Sequence, residues 1–139
     1  MAIQLDLSSL ENALQRLSEA LQAYAGDTNN SLYRDASIHR FKFCYELSHK
    51  MVKRYLQLVS PSPAAIDELA FPDLVRIGSG QGLLLNGWDR WNDYRNARSI
   101  TGESYDESKA IEVMQIVPDF LLEGEALLAE LKKRCAPIR

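Results

Sequence analysis

At 139 residues, with 46% hydrophobic and 25% charged side chains, the chain is sized for one helical-bundle domain over 1–139 with an apolar core. A formal charge of −3 and a pI near 5.4 argue against broad electrostatic attraction to nucleic acid. No apolar run reaches the roughly 18 residues of a membrane span, Met1–Leu7 lacks the build of a signal peptide, and Cys44 and Cys135 have no CxxC spacing; the expectation is a cytoplasmic protein with free thiols.

Leu7, Leu10, Leu14, Leu17, Leu21 and Tyr24 recur in alternating steps of three and four, which predicts a first helix with Ser8 and Glu11 as its capping box and Gly26 as its end. Asp27–Ser31 reads as a loop. Ile38, Phe41, Tyr45, Ser48, Val52, Tyr55 and Val59 then mark one face of a long second helix whose other side is rich in Lys and Arg. Phe41, Phe43, Tyr45 and Leu47 alternate as in a strand, but the flanking helical spacing outweighs that pattern. Ser60–Pro63 stops the helix, because proline lacks a donor and disfavours helix in the residue before it.

A short helix over Ala64–Ala70 and another from Pro72 to about Ile77 are expected next, after which Gly78, Gly80 and Gly82 interrupt the chain. A central helix follows from about Gly87 to Ser99. The last helix is capped by Asp106 or a near neighbour and turns Ile111, Met114, Val117, Leu121, Leu128 and Leu131 inward, with Pro118 expected to bend or divide it. With no strand signal and no repeat, the fold class is all-α: an antiparallel, up-and-down bundle of about five helices.

The chemistry concentrates in Trp88–Asp106, WDRWNDYRNARSITGESYD, which holds both tryptophans, three arginines and four carboxylates in nineteen residues. As a helix it places Trp88, Trp91, Arg95 and Arg98 on one row, with Arg98 emerging near the end. Gly102 breaks the helix, so Glu103, Tyr105 and Asp106 would bring a carboxylate and a phenol to the same corner. Arg40 and Glu46 of the second helix sit among core positions and need partners, which Arg98 or Glu103 could supply. The aromatic load of the central helix suggests apolar surface beyond what one small bundle must bury. Other patterns carry less. GSGQG lacks the strand before it and the Lys-Ser/Thr after it that a phosphate loop requires, and no nucleophile elbow occurs. His39 and His49 lie almost three helical turns apart, too far to share a metal ion, so no metal site is expected.

YRNARSITGESYDE, preceded by QGLL and a Trp-containing helix, resembles the signature of the nucleotidyltransferase substrate-binding protein family of the HEPN superfamily. RFKFCYEL resembles that family's second-helix segment, and the similarity runs from about Ser37 to Asp119. The resemblance implies a HEPN-like helical bundle, usually dimeric, that partners a small nucleotidyltransferase; several such pairs behave as toxin and antitoxin. It implies no intrinsic cofactor, with nucleoside triphosphate and Mg held by the partner, and a nucleotide or other small anion as ligand.

The family motif, Arg, four residues, His, one residue, Tyr, Asp, falls on Arg98, Glu103, Tyr105 and Asp106, with Ser99 where Asn is usual. In some related pairs the tyrosine receives AMP, which makes Tyr105 the candidate acceptor. Glu103 replaces the histidine that active HEPN ribonucleases use. A carboxylate beside Arg98 stays ionised, repels phosphate and donates protons poorly, which weighs against RNA as substrate. The expectation is a non-catalytic binding subunit, with Arg98, Ser99, Glu103, Tyr105 and Asp106 at the groove and Arg40, Glu46, Trp91 and Arg95 supporting them. The alternative is a metal-independent ribonuclease toxin.

Overall fold

The structure, a computed structural model, describes residues 3–101 and 106–136. Among them six helices follow in order: α1 (Ser8–Gly26), α2 (Ser31–Val59), α3 (Pro63–Asp67), α4 (Phe71–Gly80), α5 (Trp88–Ile100) and α6 (Glu107–Arg134). The only strand-like pairing among these residues is one parallel bridge between Gln4 and Ala136, which ties the two ends of the described chain together. The all-α bundle predicted from periodicity is the fold that forms, with α3 as a single extra turn.

α1 buries Leu10, Leu14, Leu17 and Ala20, the predicted stripe, but its capping box does not form. Leu7 occupies the cap position, so Ser8 is already inside the helix. Asp6 does the capping instead, accepting from the Ser8 backbone N–H at 3.0 Å and from its hydroxyl at 2.7 Å. At α2, Asn30 accepts from the N–H groups of Leu32 and Tyr33 at 2.9 and 3.1 Å, so the helix begins at Ser31. α2 is the axis of the molecule and packs against every other helix. It buries Phe41, Cys44, Tyr45, Ser48, Val52, Tyr55 and Leu56 along one face.

Three expectations about the second half are corrected. α4 carries Pro72 in its first turn but continues through Gly78 to Gly80, so the chain turns only at Gly82, whose φ of +74° suits glycine. Gly78 serves close packing instead: a Cβ there would lie 3.3 Å from Leu84. Of the two outcomes expected at Pro118, division does not occur: α6 is one 28-residue helix, with the proline on its exposed side. Nor does Ile111 point inward, being 53% exposed, while Leu121 and Leu128 are only partly buried. The buried row is Ala110, Val113, Val117, Phe120, Gly124, Leu127 and Leu131, the set a helical spacing through Val117 selects. No helix among the described residues is long and apolar enough to cross a membrane.

Candidate functional site

α5 is aimed by a turn that the sequence reading missed. Glu123 of α6 is fully buried, and its carboxylate accepts from the backbone N–H groups of Leu85 (2.8 Å) and Asn86 (3.3 Å), the Asn86 side-chain amide (2.9 Å) and the Tyr94 hydroxyl (3.3 Å). The segment before α5 is thereby fixed to α6. Burial beside that carboxylate also pushes the Tyr94 phenol well above its ordinary pKa.

From that start α5 turns Trp91, Tyr94 and Ala97 inward. The predicted row of Trp88, Trp91, Arg95 and Arg98 is therefore not the buried row: Trp88 is half-buried and Arg95 exposed. Trp91 is wholly enclosed, with ring centroids 5.3 Å from Tyr94, 6.0 Å from Phe120 and 5.9 Å from Phe71. It supports the site from the core and touches no solvent. Most of the aromatic load of α5 is thus absorbed inside one chain rather than left as spare apolar surface.

Arg98 emerges at the end of α5 as predicted. Its Nε and Nη2 donate to Glu46 Oε1 of α2 at 3.0 and 2.6 Å, and the two side chains are 31% and 51% exposed. Glu46 thus has the partner that sequence reasoning sought for it. Beneath the pair lies Tyr45, whose phenol is pushed up to about 12 by burial, with Arg95 and Arg98 pulling the other way. Arg40 does not join this group: its guanidinium donates to the Arg16 carbonyl at 2.7 Å and fastens α2 to α1. The Ser99 hydroxyl turns back to the Arg95 carbonyl at 3.1 Å, and that of Thr101 to the Arg98 carbonyl at 2.6 Å.

Glu103 and Tyr105 lie outside the described residues. Asp106 caps α6, accepting from Ser108 N–H at 2.9 Å and Lys109 N–H at 3.4 Å; these bonds, led by the Ser108 hydroxyl, hold its pKa below the usual carboxylate value. One turn beyond the Arg98–Glu46 pair, a cleft of about 260 Å³ opens between α2, the end of α5 and the start of α6. His39, Lys42, Thr101, Asp106 and Lys109 are among its walls. A second residue missed in the sequence braces it: Arg34 is buried and grips Glu107 through both terminal nitrogens, at 2.5 and 3.2 Å. Its signal was present, since Arg34 shares the inward register of Phe41. Among the described residues no group of three His, Cys, Asp or Glu side chains could hold a metal ion.

Comparison with known proteins converges on this architecture. The family model for nucleotidyltransferase substrate binding protein like sequences matches residues 5–133. A protein of Haemophilus influenzae named probable ribonuclease HepT is 33% identical over 142 aligned positions, spanning 96% of this chain and 97% of that protein. The solved structure of HI0074 from Haemophilus influenzae, described as revealing the fold of a substrate binding domain of a nucleotidyltransferase, superposes with a TM-score of 0.84 at 32% identity. That superposition covers 91% of this chain and 99% of the other. The chain belongs to the nucleotidyltransferase substrate binding protein family.

Proposed function

We propose that the chain is the non-catalytic substrate-binding subunit of a two-component nucleotidyltransferase. It docks a small nucleotidyltransferase and lines that enzyme's substrate groove with Arg98, Glu103 and Tyr105. Arg98 carries the reading: a guanidinium at a helix end, partly exposed and held by one half-exposed carboxylate, one turn before an open cleft lined by Thr101 and Lys42. An incoming phosphate or carboxylate can replace Glu46 there without leaving a buried charge unpaired. The same proposal places nucleoside triphosphate and Mg on the partner, makes the subunit a homodimer in a toxin–antitoxin type of pair, and takes Tyr105 as the AMP acceptor.

Light scattering on the pure chain, alone and mixed with the nucleotidyltransferase encoded beside it, tests the reading. A stable mixed complex is expected; a chain that ignores every candidate nucleotidyltransferase overturns it. In the complex, ATP and Mg should add the mass of one AMP to the wild-type chain and none to Tyr105→Phe.

The second reading, a metal-independent ribonuclease, is favoured by the name of the Haemophilus relative that aligns along almost the whole chain. It requires RNA cleavage without added metal that disappears in Arg98→Ala, and intact RNA with folded protein counts against it. Glu103→His should create or raise cleavage if the rest of the site is competent.

A further inference from the structure

We propose that the α2–α4–α5 corner is a stacking platform for a nucleobase, built from His49, Phe71 and Trp88, with Arg95 taking the phosphate attached to that base. The proposal rests on the substrate-binding reading for its biological use, but its geometry uses none of Arg98, Glu103, Tyr105 or Asp106.

Three rings from three helices meet at this corner. The His49 imidazole stacks on Phe71 with centroids 3.8 Å apart and planes 30° from parallel. Phe71 stands edge-on to Trp88 at 6.2 Å, and the Arg95 guanidinium lies 6.0 Å from the centre of the Trp88 ring. Each ring is half-buried: inner sides rest on the core, where Phe71 meets Tyr45 at 6.1 Å, and outer parts meet solvent. A wholly structural clasp would draw these rings inside, as happens to Trp91 one turn further along α5. They form instead a partly wet aromatic surface whose neighbouring cation, Arg95, is exposed and makes no ion pair with any described residue.

The electrostatics suit the same ligand. Burial, then the nearby charges of Lys53 and Arg95, lower the basicity of His49 and favour the neutral imidazole, a planar ring that accepts a base without charge repulsion. Lys53 already pairs with Asp67 at 3.0 Å, and Arg98 pairs with Glu46. Arg95 is left to meet an anion. A planar π-face beside an unpaired guanidinium is how proteins hold one nucleotide without reading its sequence. Arg98 lies one turn away on the same helix, so a nucleotide seated here would point toward the motif corner.

The isolated chain supplies its own reporter, because Trp91 is enclosed and Trp88 is the accessible tryptophan. AMP should quench tryptophan emission saturably, whereas ribose 5-phosphate, which has no base, should not. Arg95→Met and Phe71→Ala should each weaken AMP binding at least about tenfold, in line with the cost of losing one stacking or charge contact. Trp88→Phe should abolish the signal while calorimetry still detects AMP. Should Phe71→Ala fail to fold, Arg95→Met, which keeps the aliphatic stem, carries the test. A short oligoadenylate distinguishes the source of the base: tighter binding than AMP assigns the platform to an RNA strand, equal binding to a free nucleotide, and either supports it. Absence of saturable quenching, equal quenching by ribose 5-phosphate, or unchanged AMP affinity in a folded Arg95→Met overturns it. None of these results depends on a nucleotidyltransferase, so a missing mixed complex and a missing platform are read separately.

Discussion

Two carboxylates of this bundle, Glu123 and Glu46, show what separates a charge that holds a fold from one that can serve a ligand. Glu123 sees no solvent and accepts from two backbone N–H groups, one amide and one phenol. Glu46 is half-exposed and holds one arginine. Burying an anion is costly unless its lone pairs are met, so the first arrangement survives only as a complete set. The second costs little to make and little to break, which is the condition a binding site needs.

The sharpest way to break the comparison is to remove Glu123. Glu123→Ala leaves the part-buried Leu85 and Asn86 donors and the buried Tyr94 hydroxyl without their acceptor and should cost about 3–5 kcal/mol, read as a lowered urea midpoint. Glu123→Gln keeps one accepting oxygen but, whichever oxygen is replaced, offers a donor where two donors already point, and should lose roughly half of that. Near wild-type stability in Glu123→Ala would mean that the turn before α5 is held by packing alone.

A smaller effect belongs to His49, which stands between the two extremes. Its folded pKa lies below the ordinary 6.5, chiefly through burial and then through Lys53 and Arg95. Between 6.5 and the lowered value the unfolded chain therefore binds more protons than the folded one. The stability contributed by neutral His49 is complete above 6.5 and is lost as pH falls through the folded pKa. Wild-type melting temperature should decline across that mildly acidic window, and His49→Gln should flatten the decline. A slope that persists in His49→Gln would assign it to another group.

How far the sequence could be read follows the same division. The stripe of Leu10, Leu14 and Leu17 was legible because every member is apolar and the spacing is regular, and Arg98 was legible because it follows the last buried turn of α5. Glu123 was not. It occupies the core register of α6 beside Phe120 and Leu127, but a lone carboxylate in such a row reads as solvent-facing until its donors, 29 to 38 residues away in sequence, are known. The start of α1 differs for a related reason: whether Leu7 or Ser8 takes the cap position turns on one residue of register, which periodicity does not resolve. The stack of His49 on Phe71 was not legible either, since it joins α2 to α4 across the proline-stopped end of α2 and the short α3.

The Arg98–Glu46 pair should give the smallest stability effect and the most informative binding effect. With both side chains partly in water, Arg98→Ala and Glu46→Gln should each change stability by no more than about 1 kcal/mol, against the several lost at Glu123. Their effects on an anionic ligand should then be opposite. Arg98→Ala removes the cation and weakens binding. Glu46→Gln removes the resident anion that a ligand must displace, so the same ligand should bind several-fold more tightly, most clearly at low salt where the competition is least screened. Titrating pyrophosphate or AMP into both folded variants checks this, with AMP also reporting on the Arg95 corner. If Glu46→Gln instead weakened binding, Glu46 would be orienting Arg98 for its ligand, and the pair would have to be read as one pre-set site.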